Sequence, residues 1–392
     1  MDVFVMAPTY YPAHKTGGPV PGIRGVVGTL GGHRVRMLTA DRDLGEVTPF
    51  PAPYRGTTEV DGIEVTYLAP LGAGSWRSWW HGLREMRRSD VVYFNSVMHK
   101  TFTVAPLLFL ALIGFRGRVA ISPRGELARS ALDLGGARQK RLWIKTMTLL
   151  GLAGRVGTRR RPNVVWLASS EHERGDILAV FADAIVVLSP ERLRELDVHE
   201  TTRVRPRRRD GLRIVSLGRV SPVKGTLDLV RALQHVEVPT TLDLVGHLED
   251  AAYVEKVRRA AARLPSHIEV NWHGAVPPDE VRRLLDEAHL MVLLTRGENF
   301  GHAIGEALQR GCPVLISDQT PWSFVAAQGA GTVLTEQECR TPARTAEGVA
   351  TFARLTDEEW TEMSERAREV GARGLVIEGS HTLMDAVALL PR

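Results

Sequence analysis

Two carboxylates with seven residues between them, Glu298 and Glu306 in TRGENFGHAIGEALQRGCPVLISDQTPW, have the types and spacing to hold a polyhydroxylated ligand. Glu298 falls in a loop after an apolar strand, and Glu306 lies about one turn into the next helix. A carboxylate accepts two hydroxyl hydrogen bonds at once, so one can hold a sugar ring and the other a ribose diol. Gly301 between them keeps the turn narrow. Two glutamates are ordinarily a surface acid and an acid favoured by a helix dipole, but that account leaves the glycines and the flanking apolar strands unexplained. A second group, GRVSPVKG, follows a strand at 212–217 and puts Gly218, Arg219 and Lys224 at the carboxyl edge of a sheet, where open α/β sheets bind ligands. Arginine forks onto two phosphate oxygens and lysine adds a point charge, which suits a diphosphate and the charge that develops on a departing nucleotide. A third group, APTYYPAHKTGGP, carries Gly17 and Gly18 ahead of an expected helix whose N-terminus offers N–H groups to a phosphate. It lacks the close-spaced G-x-G-x-x-G of a dinucleotide site.

The elements that must position these residues alternate between β-branched runs and amphipathic stretches, the pattern of parallel sheets wrapped by helices. The fold class is therefore α/β. In the first half, strands are expected at 3–7, 34–39, 91–94, 118–122, 164–168 and 184–188, with Asp61 and Gly62 turning a β-hairpin between the second and third. The pattern breaks at 189–210, where RVRPRRRD reads as a linker. Strands at 212–217, 241–245, 268–272, 290–294 and 313–316 then alternate with helices at 226–235, 251–263, 278–287 and 302–310. The tail from Thr341 is helical by composition. These breaks define an N-terminal Rossmann-like domain at 1–200, a second at 211–375, and a C-terminal helix at 376–392 with room to cross back to the first.

Length and composition bound the rest. At 392 residues, two domains are the natural expectation, and 44% hydrophobic with 24% charged residues excludes disorder, collagen and coiled coil. Cys312 and Cys339 are the only cysteines, too few for a disulfide framework or zinc cluster. Together with an N-terminus unlike a signal peptide, they point to the cytoplasm. The longest apolar run, 102–115, contains Pro106 and falls short of the roughly 20 residues that span a bilayer, so it reads as a buried helix. Its basic flanks, Lys100, Arg116 and Arg118, leave room for peripheral membrane contact. The net charge of +5 is modest, and no reading helix or aromatic interleaving marks a nucleic-acid binder.

Across 212–322 the chain resembles the family 4 retaining glycosyltransferases of the GT-B fold, whose motifs GRVSPVKG and ENFGHAIGEALQRGCPVLISDQTPW match closely. More loosely, YYPAHKTGGP, LTADRDLGE, the FNS of Phe94 to Ser96 and SPRGEL are similar to a bacterial subgroup associated with surface polysaccharide and related glycoside assembly. The resemblance implies two Rossmann-like domains facing across a cleft, with the donor diphosphate on Arg219 and Lys224, the ribose on Glu306 and the transferred sugar on Glu298. It also implies that the backbone of Asn299, Phe300 and Gly301 faces that sugar, that Gly17 and Gly18 approach the diphosphate, and that the base sits near Gly246 and Val276. Many members have a histidine where this chain has Pro123, Arg124 and Gly125, which leaves Arg124 and Glu126 as the acceptor-side candidates. The family further implies retention of anomeric configuration, a UDP- or GDP-type sugar donor, no other cofactor, and no obligatory metal. The acceptor would be a glycan, a lipid-linked sugar or a small molecule.

Other readings share the architecture. An NAD-dependent oxidoreductase would lack its dinucleotide fingerprint here, and a glycoside hydrolase would have no use for the basic pair. A sugar-nucleotide-binding protein without turnover keeps the fold and is separated only by assay.

Overall fold

A computed structural model describes the chain except for residues 16–17, 71–73, 129–130, 133–135, 159–160, 192, 194–210, 249, 376–378 and 392. The chain divides into two units, Met1–Arg192 with Ile377–Arg392, and Leu193–Val376. Most of the expected linker lies outside the described residues.

In the first unit the strands are β1 (Asp2–Met6), β2 (Arg34–Ala40), β3 (Gly56–Val60), β4 (Ile63–Leu68), β5 (Val91–Phe94), β6 (Arg118–Ile121), β7 (Val164–Ala168) and β8 (Val186–Leu188). They form one sheet in the order β3-β4-β2-β1-β5-β6-β7-β8. All pairs are parallel except β3 with β4, the hairpin closed by Asp61 and Gly62, both at positive φ. The helices are α1 (Pro19–Gly28), α2 (Trp76–Arg87), α3 (Ala105–Leu112), α4 (Ala137–Leu149) and α5 (Glu171–Val180). Successive strand residues point to opposite faces, and two cores result. Phe4, Met6, Val92 and Phe94 pack with Trp79 of α2, Leu107 and Leu110 of α3, Trp143 and Met147 of α4, and Ile177 of α5. Val3, Val5, Val91 and Tyr93 pack on the other face with Ile23 and Val27 of α1.

In the second unit β9 (Leu212–Leu217), β10 (Thr240–Val245), β11 (Ile268–Gly274), β12 (Leu290–Leu293), β13 (Val314–Ser317) and β14 (Gly331–Leu334) form a parallel sheet in the order β11-β10-β9-β12-β13-β14. Its helices are α6 (Thr226–Leu233), α7 (Ala251–Ala261), α8 (Pro278–Glu287), α9 (His302–Gln309), α10 (Glu336–Cys339), α11 (Pro342–Arg354) and α12 (Asp357–Arg373). Residues of α6, α7 and α11 cover one face with Ile214 and Leu242. Those of α8, α9 and α12 cover the other with Val215, Met291 and Ile316. The last helix, α13 (Leu383–Ala388), returns to the first unit, where Leu383, Ala386 and Val387 join Ala120, Val165 and Leu167.

Two local expectations need correction. The apolar run at 102–115 is not a single buried helix: Lys100–Val104 opens as a π-helical turn into α3, and Leu112 is 87% exposed while Leu107, Leu110 and Phe115 are buried. The strand expected to start at Ala184 starts at Val186, because Ala184 donates its N–H to Phe181 O and closes the turn after α5. Among the described residues, no helix is long and apolar enough to cross a membrane.

Candidate functional site

Strand order in the second unit selects the site. From β9 the chain moves outward through β10 and β11, then returns to lay β12 against the other side of β9. The helices that follow β9 and β12, α6 and α9, pack on opposite faces of the sheet, and such a switch point is where open α/β sheets bind ligands. Lys224 follows β9 and Glu298 follows β12. The structure joins them: Lys224 Nζ is ion-paired with Glu298 Oε2, each side chain 17% exposed. Their loops are lashed together, with Arg296 N–H donating to Val223 O at 2.7 Å and Thr295 Oγ1 to the same oxygen at 3.2 Å. Ser317 Oγ donates to Thr295 O at 2.6 Å, and Glu298 N–H to Gln319 O at 3.1 Å.

Gly225 sets the direction of the β9 loop. It ends the turn Pro222–Lys224 and caps α6 with φ 69°, and a Cβ there would lie 2.1 Å from Leu294 O. At Gly246, after β10, φ is 143° and a Cβ would lie 2.0 Å from Gly218 O. The ends of β9, β10 and β11 thus lie backbone against backbone, tied by Gly218 N–H to Val245 O and Gly246 N–H to Gly274 O at 2.9 and 2.8 Å. Arg219 is exposed on this edge, and Val276, just beyond β11, is half-buried.

Glu306 sits on α9, which Gly301 caps. It is half-buried, its carboxylate accepts no hydrogen bond among the described residues, and burial holds that carboxylate above its usual titration range, with His302, Arg282 and Arg310 pulling the other way. A buried acceptor of this kind gains most from a hydroxyl that enters and donates to it. Asn299, Phe300 and Gly301 form the turn into α9. Trp322 Nε1 donates to Phe300 O at 2.6 Å, and the Trp322 and Phe300 rings meet edge to face at 6.1 Å. That indole anchor, and the cations Arg282 and Arg310 near Glu306, were missed at the level of sequence. Trp322 closes the quoted motif, but no spacing rule assigns it a bond.

One comparison with known proteins falls on this same region. The family model of the glycosyl transferases group 1 matches residues 198–370. The chain carries a group 1 glycosyltransferase domain. A curated relative, the GDP-mannose:cellobiosyl-diphosphopolyprenol alpha-mannosyltransferase of Xanthomonas campestris, is 27% identical over 325 residues, 81% of this chain and 78% of the relative. Among solved structures, Anabaena HepE in complex with UDP-glucose superposes with TM-score 0.64 at 16% identity, covering 95% of each chain. WaaG, a glycosyltransferase involved in lipopolysaccharide biosynthesis, gives 0.64 at 14% identity over 100% of this chain and 99% of its own. The fold is GT-B, with two Rossmann-like units.

In the first unit the expected residues have different surroundings. Gly18 caps α1 in ordinary helical conformation with Pro19 behind it, and Gly17 lies outside the described residues. Arg124, at φ 55°, is fixed by three partners: Nε donates to Asn95 Oδ1 at 2.7 Å, Nη2 to Tyr93 Oη at 3.0 Å, and Nη1 is paired with Glu191. Burial opposes its charge, yet Glu191, Tyr93 and Glu173 outweigh burial and hold the guanidinium charged. Glu126 accepts from Ser96 Oγ at 2.9 Å and from the N–H groups of Val97 and Met98 at 2.6 and 2.9 Å. Burial raises its pKa, and these bonds work against the rise. Both side chains therefore brace the loops after β5 and β6. Of these partners, Asn95 lies in the quoted FNS motif, whereas Tyr93, Glu173 and Glu191 were not singled out in the sequence.

Proposed function

We propose that the protein is a retaining glycosyltransferase that moves a hexose from a UDP- or GDP-type sugar donor to a hydroxyl of a glycan, lipid-linked or small-molecule acceptor. The observation that carries this reading is the Lys224–Glu298 pair at the switch point of the second sheet, inside the matched segment. Lys224 and Arg219 would bind the diphosphate, Glu298 the transferred sugar and Glu306 the ribose. The turn Asn299–Gly301 would offer backbone to the sugar, and the Gly218, Gly246 and Val276 loops would flank the base. The HepE complex with UDP-glucose and the GDP-mannose-named relative support a nucleotide-sugar donor, and the relative's diphosphopolyprenol-linked acceptor supports a lipid-linked one. Two buried cysteines suit a reducing compartment such as the cytoplasm. The direct test is a panel of UDP- and GDP-sugars, scored first by thermal stabilisation and then by release of the nucleoside diphosphate with acceptor present. Stabilisation without release under any acceptor would favour a binding protein that lacks turnover.

The division of labour between the glutamates has its own test. Glu298→Gln is expected to impair transfer while leaving the affinity for the free nucleoside diphosphate unchanged or tighter, because that ligand has no sugar and Lys224 loses a competing carboxylate. Glu306→Gln is expected to weaken the nucleoside diphosphate itself, by about 1.5–3 kcal/mol for a charge-assisted hydrogen bond. Calorimetry with the free diphosphate reads both, and equal losses in the two variants would overturn the assignment.

Transfer is also expected to persist in excess EDTA. Arg219 and Lys224 supply positive charge at the proposed diphosphate position, and such cations stabilise a leaving phosphate without a divalent ion. Activity abolished by chelator and restored by magnesium or manganese would count against the metal-independent reading.

A further inference from the structure

The first sheet has a switch point of its own. From β1 the chain runs out to β2, β3 and β4 on one side, then returns to lay β5 against the other. The helices that follow these two strands, α1 after β1 and α3 after β5, pack on opposite faces of the sheet, the arrangement that opens a crevice at the carboxyl ends of the two strands. Asn95 is the first residue past β5 there, and its backbone N–H donates to Met6 O at the end of β1 at 3.1 Å.

The Asn95 side chain is held in one orientation. Its Oδ1 accepts from Tyr93 Oη at 2.8 Å and from Arg124 Nε at 2.7 Å, while Arg124 Nη2 donates to Tyr93 Oη at 3.0 Å, so three side chains close a ring of bonds. Arginine carries donors only, so the amide atom that faces Nε has to be the oxygen, and the network itself decides which way the amide is turned. That leaves both N–H donors of Nδ2 unspent: they meet no acceptor among the described residues, although Asn95 is only 4% exposed. Side-chain atoms that are both unbonded and sealed from solvent occur elsewhere in this unit, at Asp2, Arg36 and Thr39, and Asn95 Nδ2 is not one of them, so a ligand can reach it. Support of the loops alone would be served better by an aspartate, whose charge suits Arg124 and which has no donors to leave idle. A nearly buried amide with two idle donors gains most when an oxygen enters and takes them. Arg124 holds its place at φ 55°, shared among the described non-glycine residues only with Asp61 of the hairpin turn, and such a conformation persists where the surroundings over-determine it.

We propose that Asn95 binds the acceptor, with Nδ2 donating to a hydroxyl oxygen of the acceptor sugar, and that Arg124 and Tyr93 are the positioning residues that aim the amide. The diphosphate, ribose, base and transferred sugar of the donor are all assigned to the second unit, so the oxygen left for the switch point of the first is the acceptor's. That identification of the ligand rests on the glycosyl-transfer reading; the unspent donors do not.

The experiment titrates the full chain with mono- and disaccharide methyl glycosides of glucose, galactose and mannose, and with their singly deoxygenated analogues. Thermal stabilisation and calorimetry read binding, and acceptor KM and kcat are then measured with the donor that the nucleotide-sugar panel selects. Asn95→Asp keeps an oxygen for Tyr93 and Arg124 but exchanges the two donors for an acceptor. It is expected to weaken glycoside binding and to raise acceptor KM by roughly tenfold or more at unchanged Tm, with the affinity for the free nucleoside diphosphate unchanged. One hydroxyl whose removal from the glycoside costs the parent about tenfold should cost Asn95→Asp nothing, a pattern that loss of mere structural support does not produce. Tyr93→Phe, which leaves the amide donors in place but loosens their aim, is expected to lose roughly threefold in the same direction. A parent that binds none of the glycosides, an Asn95→Asp variant that binds and discriminates them like the parent, or an equal loss for the nucleoside diphosphate would overturn the proposal. Glycoside binding that depends on Asn95 without release of nucleotide would leave the contact standing and sink the enzymatic reading alone.

Discussion

Lys224→Ala is expected to slow sugar transfer by about 10² to 10³, the usual loss when one preorganised donor to a developing negative charge is removed. The lysine stands at the carboxyl end of β9 with its ammonium on Glu298, and the two loops share the Val223 carbonyl as a common acceptor. Its side chain is largely shielded, so its charge acts in a medium less screened than bulk water. Arg219→Ala is expected to act in the same direction from the exposed side of the loop. Turnover is the readout, with thermal unfolding as the control for the fold. Near-normal rates in both single variants would remove the diphosphate assignment from this edge of the sheet.

Gly225→Ala is expected to be among the most damaging single methyls in the second unit. At φ 69° a side chain is strained, and the added Cβ would lie 2.1 Å from the Leu294 carbonyl oxygen, so the backbone after β9 or after β12 has to move. Left-handed strain plus that displacement should cost about 2–4 kcal/mol, and for a unit of this size Tm should fall by roughly 5–15 °C. Because Gly225 is the residue after Lys224, transfer should fall further than the lost stability explains when assayed well below Tm. Calorimetric unfolding together with rates at low temperature checks both parts. An unchanged Tm would mean that the approach of the two loops is looser than the geometry indicates.

Much of the frame was legible in the residues themselves. The strand at Leu212–Leu217 and the helix at Pro278–Glu287 emerge with their expected bounds, one from a β-branched run stopped by glycine, the other from Pro-Asp-Glu at its start. The Asp61–Gly62 hairpin follows from a dipeptide that accepts positive φ at both positions. By contrast, β14 is four residues, Gly-Thr-Val-Leu, too short for a periodic signal. Candidate site residues could be placed at strand ends because strand ends are local. Their partnerships could not: Lys224 meets Glu298 across 74 positions, and Arg124 meets Asn95, Tyr93 and Glu191 across 29, 31 and 67. Arg124 marks a departure from the family pattern in sequence, yet only the packing of β5 and β6 side by side shows that it braces their loops.

The Lys224–Glu298 pair also bears on how a product would leave. A carboxylate held within reach of the ammonium competes with any phosphate for it at an effective concentration that no free anion in solution matches. On the proposed reading, Glu298 is occupied by sugar hydroxyls while the donor is whole, so this competitor is withdrawn before transfer. Once the sugar has gone to the acceptor, the carboxylate is released and can reclaim Lys224 from the spent nucleotide. Affinity would then drop at the moment the chemistry is complete, favouring fast dissociation of the product over retention.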